Sequence, residues 1–278
     1  MIRLLGLDLD GTVFDDQKNI SAQTKEAIRN AMEAGVTVVP ITGRPFCAVT
    51  KNVFEAADFA YLASTSGAVI TDLRTKQKIH EDLIKNRRAS AVLESLKKAG
   101  LLTMAFIDGQ GFVEKENFER ALAYAESEVV RNYIRTTRTA VDHLPEYIQR
   151  DGRDVEKFTV SLPHDKDGGL LGIDYALDAL SDCRDDMDIV YGGAINIEVT
   201  NKTATKGNVL RFLGKMLGIS KEETMACGDS GNDREMLEAA GIAVAMENAE
   251  ESVKKAASFI TKSNEEDGVA YAIRKFIL

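Results

Sequence analysis

The chain has 278 residues, long enough to bury a sizeable core as one large domain or two smaller ones. It is 44% hydrophobic and 28% charged, the make-up of an ordinary globular protein. A net charge of −9 and a pI near 5.1 deny it the basic face that a polyanion needs, which excludes nucleic acid as the expected partner. A small phosphorylated partner stays open, because a metal ion and one or two local cations can meet its charge.

No apolar run approaches the roughly 20 residues that span a bilayer, and the first residues lack the charged, apolar and cleavage regions of a signal peptide. Cys47, Cys183 and Cys227 are odd in number and widely spaced, so they form neither a disulfide framework nor a zinc pattern. A reducing cytoplasm without membrane attachment is the expected home. His80, His143 and His164 share no metal-ligand spacing and are expected at the surface.

Residues 4–13, Leu-Leu-Gly-Leu-Asp-Leu-Asp-Gly-Thr-Val, are an apolar run ending in two carboxylates and a glycine. Such a run reads as a buried strand of a parallel sheet. Residues two apart share a side, so Asp8 and Asp10 leave the strand's carboxyl end together, where open α/β sheets bind ligands. Gly11 permits a sharp departure. Two like charges this close raise one pKa unless a cation lies between them, and Mg²⁺ is the natural hard cation for oxygen ligands. A solvated acidic turn is the alternative for this stretch by itself.

Ser21 is placed to cap a helix to about residue 34, with Ala27, Ile28, Ala31 and Met32 as its buried stripe and Gly35 as its stop. A second strand at 36–41 ends at Thr42-Gly43-Arg44, and Pro45 suits the start of another helix. Short strands at 60–63 and 68–71 flank Ser64-Thr65-Ser66-Gly67. This is a βαβαβ order, the mark of a doubly wound sheet.

From residue 84 the texture changes. A helix with Ala91, Val92 and Leu96 stops at Gly100, a strand at 101–107 turns through 108–111, and Phe112-Val113 pairs back or begins another strand. A polar helix spans 118–131, a strand 155–162 offers Val155, Phe158 and Val160 for burial, a helix covers 170–180 and a strand 187–191. No strand here ends in an acid cluster, so residues 84–192 read as an inserted α+β domain. Residues 195–200 bring the chain back, and Lys206-Gly207 opens a helix to about residue 217. A strand at 224–227 finishes at Gly228-Asp229-Ser230-Gly231-Asn232-Asp233. After it come a helix with Met236, Leu237 and Ala240, a strand at 242–245, and a last helix with Val269, Ala272, Ile273, Phe276 and Ile277 on one face. The expected core is therefore 1–83 with 193–278.

Three places, Asp8/Asp10, Thr42-Gly43-Arg44 and Gly228–Asp233, follow strands of one inferred sheet, and Lys206 starts a helix close to another strand's end. Together they have the parts for phosphoryl transfer: a carboxylate nucleophile, a metal ion and lysine for the phosphoryl charge, and a hydroxyl with backbone N–H groups as an anion cradle. Each residue has a plainer reading. Lys206 as a solvated first-turn residue, Arg44 as a loop brace, Asp233 as a helix-capping acid, and Cys47 and Cys227 as small buried groups all fit their local sequence.

The four motifs, in order and spanning both sides of the insertion, resemble the haloacid dehalogenase (HAD) superfamily of phosphatases. The long insertion between Thr42 and Lys206, and the closing Glu266-Asp267-Gly268-Val269-Ala270, are similar to the Cof-like branch with its C2B-type cap. The resemblance implies an α/β fold, a doubly wound Rossmann-like parallel sheet with an inserted α+β cap domain at 84–192. It implies that Asp8 attacks phosphorus and that Asp10 serves as general acid and then base. Asp8, the Asp10 backbone carbonyl and Asp229 would hold Mg²⁺. Thr42, Gly43 and Lys206 would bind the phosphoryl group, with Arg44 and Asn232 as further substrate contacts. Asp233 would orient Lys206 or the metal's surroundings. The implied activity is Mg²⁺-dependent hydrolysis of a small phosphorylated metabolite, a sugar phosphate or similar, through an aspartyl-phosphate. A phosphomutase on the same core and a non-catalytic phospho-ligand-binding protein are the alternatives. A phospho-acceptor receiver domain shares the sheet type but is about half this length and has no insertion. Cof-like proteins often have Asn-Gly where this chain has Ser66-Gly67, a departure that bears on substrate range. The sequence does not speak to oligomeric state.

Overall fold

The computed structural model describes residues 1–125, 128–163, 171–192 and 196–278, so His164, Leu170 and Ile195 lie outside the described residues. The chain divides into two compact units. The first comprises Met1–Gly43, Val49–Glu81 and Thr205–Leu278. Its centre is a five-stranded parallel sheet in the order Phe259–Ile260, Ile242–Ala245, Thr224–Gly228, Leu4–Leu7, Thr37–Pro40. Leu4–Leu7 lies second from one edge and is buried throughout, as its unbroken apolar run requires. Leu7 pairs with Cys227 on one side and Pro40 on the other, so both neighbouring strands end level with it.

Helix Ala22–Glu33 begins at Ser21, whose side chain accepts the Thr24 N–H at 3.0 Å. It buries Ala27, Ile28 and Ala31, with Met32 half-buried on the same core, and packs on the terminal helix Gly268–Phe276. Helix Lys206–Leu217 begins at Thr205, which caps the Asn208 N–H at 3.2 Å.

Beyond Thr37–Pro40 the parallel sheet is extended, among the described residues, by a single bridge, Ile41 to Ala63. Tyr61–Ser64 instead joins Val69–Asp72 and Gln77–Glu81 in a three-stranded antiparallel sheet. The expectation of strands at 60–63 and 68–71 is shifted by one residue. Their pairing as a hairpin follows from the short connection, since a parallel crossover needs a dozen or more residues. Gln77–Glu81 is largely exposed and has no apolar alternation to reveal it. Pro45 starts only the short turn Phe46–Ala48, and the α-helix begins later, at Lys51.

The second unit comprises Arg44–Ala48 and Asp82–Ala204. Its six-stranded sheet runs Met187–Gly192, Asn196–Asn201, Lys157–Ser161, Leu102–Ile107, Gln110–Glu114, Arg138–Val141, antiparallel except for the last pair. Ala105, Phe158, Val160, Ile197 and Val199 meet the buried residues of helices Asn86–Lys98 and Leu144–Asp151. Leu102, Met104 and Val113 join a separate cluster with Ala121, Leu122 and Ile134 of helices Lys115–Tyr124 and Glu128–Thr137. Two differences from the sequence reading stand out. The single helix expected at 118–131 is two helices. The unit also runs to Ala204 rather than to 192, because Asn196–Asn201 pairs with Met187–Gly192 and Lys157–Ser161 instead of returning to the parallel sheet. Alternating Ile197 and Val199 would suit either sheet, so periodicity could not assign them.

Phe158 is fully buried in the larger of these clusters. Phe158→Ala should therefore cost about 3–5 kcal/mol of stability. Urea unfolding followed by circular dichroism checks this; an unchanged midpoint contradicts it.

Candidate active site

The geometry starts from Asp8, the first residue past strand Leu4–Leu7. Its N–H donates to the Cys227 carbonyl at 3.1 Å, continuing the ladder, and the residue is only 3% exposed. Lys206 is 1% exposed and donates through Nζ to Asp8 Oδ1 and to Asp233 Oδ1, both at 2.6 Å. A lysine is almost never buried unless paired, and here two carboxylates pair it. Asp8 Oδ2 is buried, and among the described residues no donor reaches it.

The turn after strand Thr224–Gly228 brings the other acids. Asp233, fully buried, accepts through Oδ2 the N–H groups of Asp229 at 3.0 Å and Ser230 at 3.1 Å, so one carboxylate shapes the turn with one oxygen and holds Lys206 with the other. Asp229 Oδ1 accepts the Thr12 hydroxyl at 3.1 Å. Gly11, at φ +78°, lies against Asp229: a Cβ there would fall 2.3 Å from Asp229 Oδ2. Only glycine permits both the left-handed backbone and this approach. Carboxylate oxygens of Asp8, Asp229 and Asp233 all lie within 4.8 Å of one another.

Three carboxylates facing one ammonium in a nearly dry space leave an imbalance that shows in the proton affinities. Asp8 is held well above the usual carboxylate range, chiefly by burial, with the charge of Asp233 adding to it and Lys206 opposing. Burial and Asp233 push Asp229 up to about 6. Lys206 is raised although burial opposes its charge, because Asp233 and Asp8 together outweigh that cost. A hard divalent cation fits this donor set: all-oxygen ligands, an orphaned buried oxygen on Asp8, and surplus negative charge. Burial, with Asp233, also pushes the Cys227 thiol up to about 12, which makes it inert.

The remaining sequence candidates fall in several places. Thr42 is buried, its N–H donating to the Ala63 carbonyl at 2.9 Å and its own carbonyl accepting the Ser66 N–H at 2.9 Å. Thr65, Ser66 and Gly67 all have positive φ, and a Cβ on Gly67 would meet the Thr205 carbonyl at 2.7 Å. This unusual turn thus joins the Thr42 segment to the start of the Lys206 helix. Asn232 is half-buried and accepts the Ser230 hydroxyl at 2.9 Å. The Asp10 carboxylate is not part of the three-acid group; it lies 3.1 Å from Lys18 and is 40% exposed. Gly43 ends a segment of the first unit, while Arg44 belongs to the second and donates to the Ala48 carbonyl at 3.3 Å. Cys47, expected to be buried, is exposed on the Phe46–Ala48 turn; Cys183 and Cys227 are buried, and all three are free. Thr12 and Ser230 are functional neighbours that sequence reasoning left without a role. Asp233, read there as a second-tier residue, sits at the centre.

Comparison with known proteins follows the same outline. A profile of the haloacid dehalogenase-like hydrolases matches residues 5–273. Phosphatase YwpJ of Bacillus subtilis is 30% identical, over 99% of this chain and 100% of its own. A second Bacillus subtilis protein, 5-amino-6-(5-phospho-D-ribitylamino)uracil phosphatase YwtE, is 28% identical over 99% of this chain and 98% of its own. Among solved structures, a haloacid dehalogenase-like hydrolase from B. subtilis superposes with a TM-score of 0.83 at 27% identity, covering 99% of this chain and 100% of that one.

The raised Asp229 gives a stability test with a definite sign. Its folded pKa of about 6 exceeds the ordinary 3.8, so its contribution is present below about pH 4 and is lost as pH rises through about 6. In chelator-treated protein, Asp229→Asn should gain stability relative to wild type across that window, and added Mg²⁺ should reverse the order by stabilising wild type alone. Melting curves of both proteins between pH 4 and 8 measure this; a flat difference contradicts it.

Proposed function

Because this chain belongs to the haloacid dehalogenase-like hydrolases, we propose that it is a Mg²⁺-dependent phosphatase that clears a small phosphorylated metabolite through an aspartyl-phosphate on Asp8. That it is a phosphoric monoester hydrolase rests on the family match and on phosphatase relatives along its full length. The finer reading rests above all on one observation. Lys206 ties down Asp8 Oδ1 and Asp233 Oδ1 together, leaving Asp8 Oδ2 buried and without a donor among the described residues.

In the reaction we envisage, Asp8 attacks the phosphorus. The new carboxylate–phosphorus bond forms as the bond to the leaving oxygen breaks. Asp10 donates a proton to that oxygen, then takes one from the water that attacks the phosphoaspartate, releasing phosphate and restoring Asp8. Its partial exposure and exposed Lys18 partner suit a group that must meet both leaving group and water. Lys206 balances the phosphoryl charge, and the Thr42 hydroxyl and Gly43 N–H bond its oxygens. Asp8, the Asp10 carbonyl and Asp229 would hold the cation, with Asp233 keeping Lys206 and the Asp229 turn in place. When bound, Mg²⁺ lowers the proton affinity of the carboxylates and draws charge from the phosphoryl oxygens. A small hydroxylated substrate, such as a sugar or ribityl phosphate, is supported by the relative named for 5-amino-6-(5-phospho-D-ribitylamino)uracil. No helix among the described residues is long and apolar enough to cross a membrane, and three free cysteines support a reducing, cytoplasmic setting.

Asp8→Asn should lower turnover of 4-nitrophenyl phosphate by at least about 10³-fold while the circular dichroism spectrum is kept. Removing divalent cations with a chelator should abolish wild-type turnover, and Mg²⁺ should restore it. Full activity in Asp8→Asn ends the nucleophile assignment, and full activity in chelator ends the metal requirement.

A further inference from the structure

Residues 246–250, which follow strand Ile242–Ala245, bond to both acid-bearing turns of the first unit. The Met246 N–H donates to the Gly228 carbonyl at 3.0 Å and the Glu250 N–H to the Asp229 carbonyl at 2.9 Å. Between them, Asn248 Nδ2 donates to the Gly11 carbonyl at 2.8 Å. Asn248 Oδ1 accepts the Asn264 N–H at 3.0 Å, so each end of its amide has a partner and its orientation is determined. Asn264 Nδ2 in turn donates to the Phe14 carbonyl at 3.0 Å and to Asp16 Oδ1 at 3.2 Å.

Gly11 is where this matters. Glycine is the least restrained residue, and it directly follows Asp10 in the wide turn Leu9–Val13. It has no side chain that could fix the turn just past Asp10. Its carbonyl is instead pinned by an amide rooted in the segment that also pins Gly228 and Asp229. We propose that Asn248 is a positioning residue: by holding the Gly11–Thr12 peptide, the next one past Asp10–Gly11, it fixes the turn against the Asp229 segment and so aims the Asp10 carboxylate at the leaving oxygen. This rests on the acid–base reading of Asp10 given above. Asn248 is itself exposed, and its side-chain bonds run to Gly11 and Asn264 rather than to Asp8, Asp229 or Asp233. Its loss should therefore disturb aim more than stability.

The test compares two phosphate esters of nearly equal shape. Phenyl phosphate has a basic leaving group that needs protonation, whereas 4-nitrophenyl phosphate has one that hardly does. Asn248→Ala and Asn248→Asp should each lower kcat/KM, which ends at leaving-group departure and leaves out the later water step that both esters share, by about 10²-fold on phenyl phosphate and by less than about fivefold on 4-nitrophenyl phosphate. The aspartate variant keeps an acceptor for Asn264 but cannot donate to Gly11, so it isolates the bond that counts. Both variants should melt within about 4 °C of wild type. Asp10→Asn, assayed in parallel, should show the same discrimination between esters. If Asp10→Asn discriminates but the Asn248 variants lose both activities equally, or lose neither, the positioning role is overturned while the acid–base reading stands. If Asp10→Asn itself does not discriminate, the acid–base reading falls and this role falls with it.

Discussion

The structure depends on keeping one ammonium group, that of Lys206, out of water. A buried lysine without partners sheds its proton or unfolds the protein, and a buried pair of carboxylates without a cation is no better placed. Lys206 sits at 2.6 Å from both Asp8 and Asp233, and its charge offsets the cost of burying both acids. The arrangement is topologically demanding. Asp8 must end one strand, Asp233 must close the turn after the strand beside it, and the lysine must start a helix whose first turn reaches both. Five parallel strands with level carboxyl ends meet that demand.

Asp8 and Asp233 use their charge differently. Asp233 commits both oxygens to the protein, one to Lys206 and one to the backbone of its own turn. Asp8 commits one and leaves the other buried, with no donor for it among the described residues. An unsatisfied buried carboxylate oxygen costs stability, and a protein keeps such an atom where a ligand or reaction will use it. Asp229 is intermediate, tied by Thr12 yet raised in proton affinity. Rigid support on one acid, partial support on another and a spare oxygen on the third is the pattern expected of a site awaiting a cation and a phosphoryl group.

Much of this was legible in the sequence because strand ends in a parallel sheet meet whatever their separation along the chain. Asp8, Lys206, Asp229 and Asp233 could be brought together from three of the four motifs without knowing the loops between them. The rest was hidden for physical reasons. Gln77–Glu81 is an exposed polar strand with no apolar period, and Asn196–Asn201 has a period that either sheet could use. The central part played by Asp233 could not be read either, because a first-turn acid next to a helix has an ordinary capping explanation. Asn248 gave no local signal at all: its partner, the Gly11 carbonyl, is a backbone atom 237 positions away.

The claim to which every other assignment is attached is that the phosphoryl group passes through Asp8 before it reaches water. The stereochemical course at a phosphorus made chiral with oxygen isotopes tests this most directly. Two successive in-line displacements, the first by Asp8 and the second by water, predict net retention of configuration. Net inversion would mean a single displacement by water, and would contradict the account whatever the metal or the substrate.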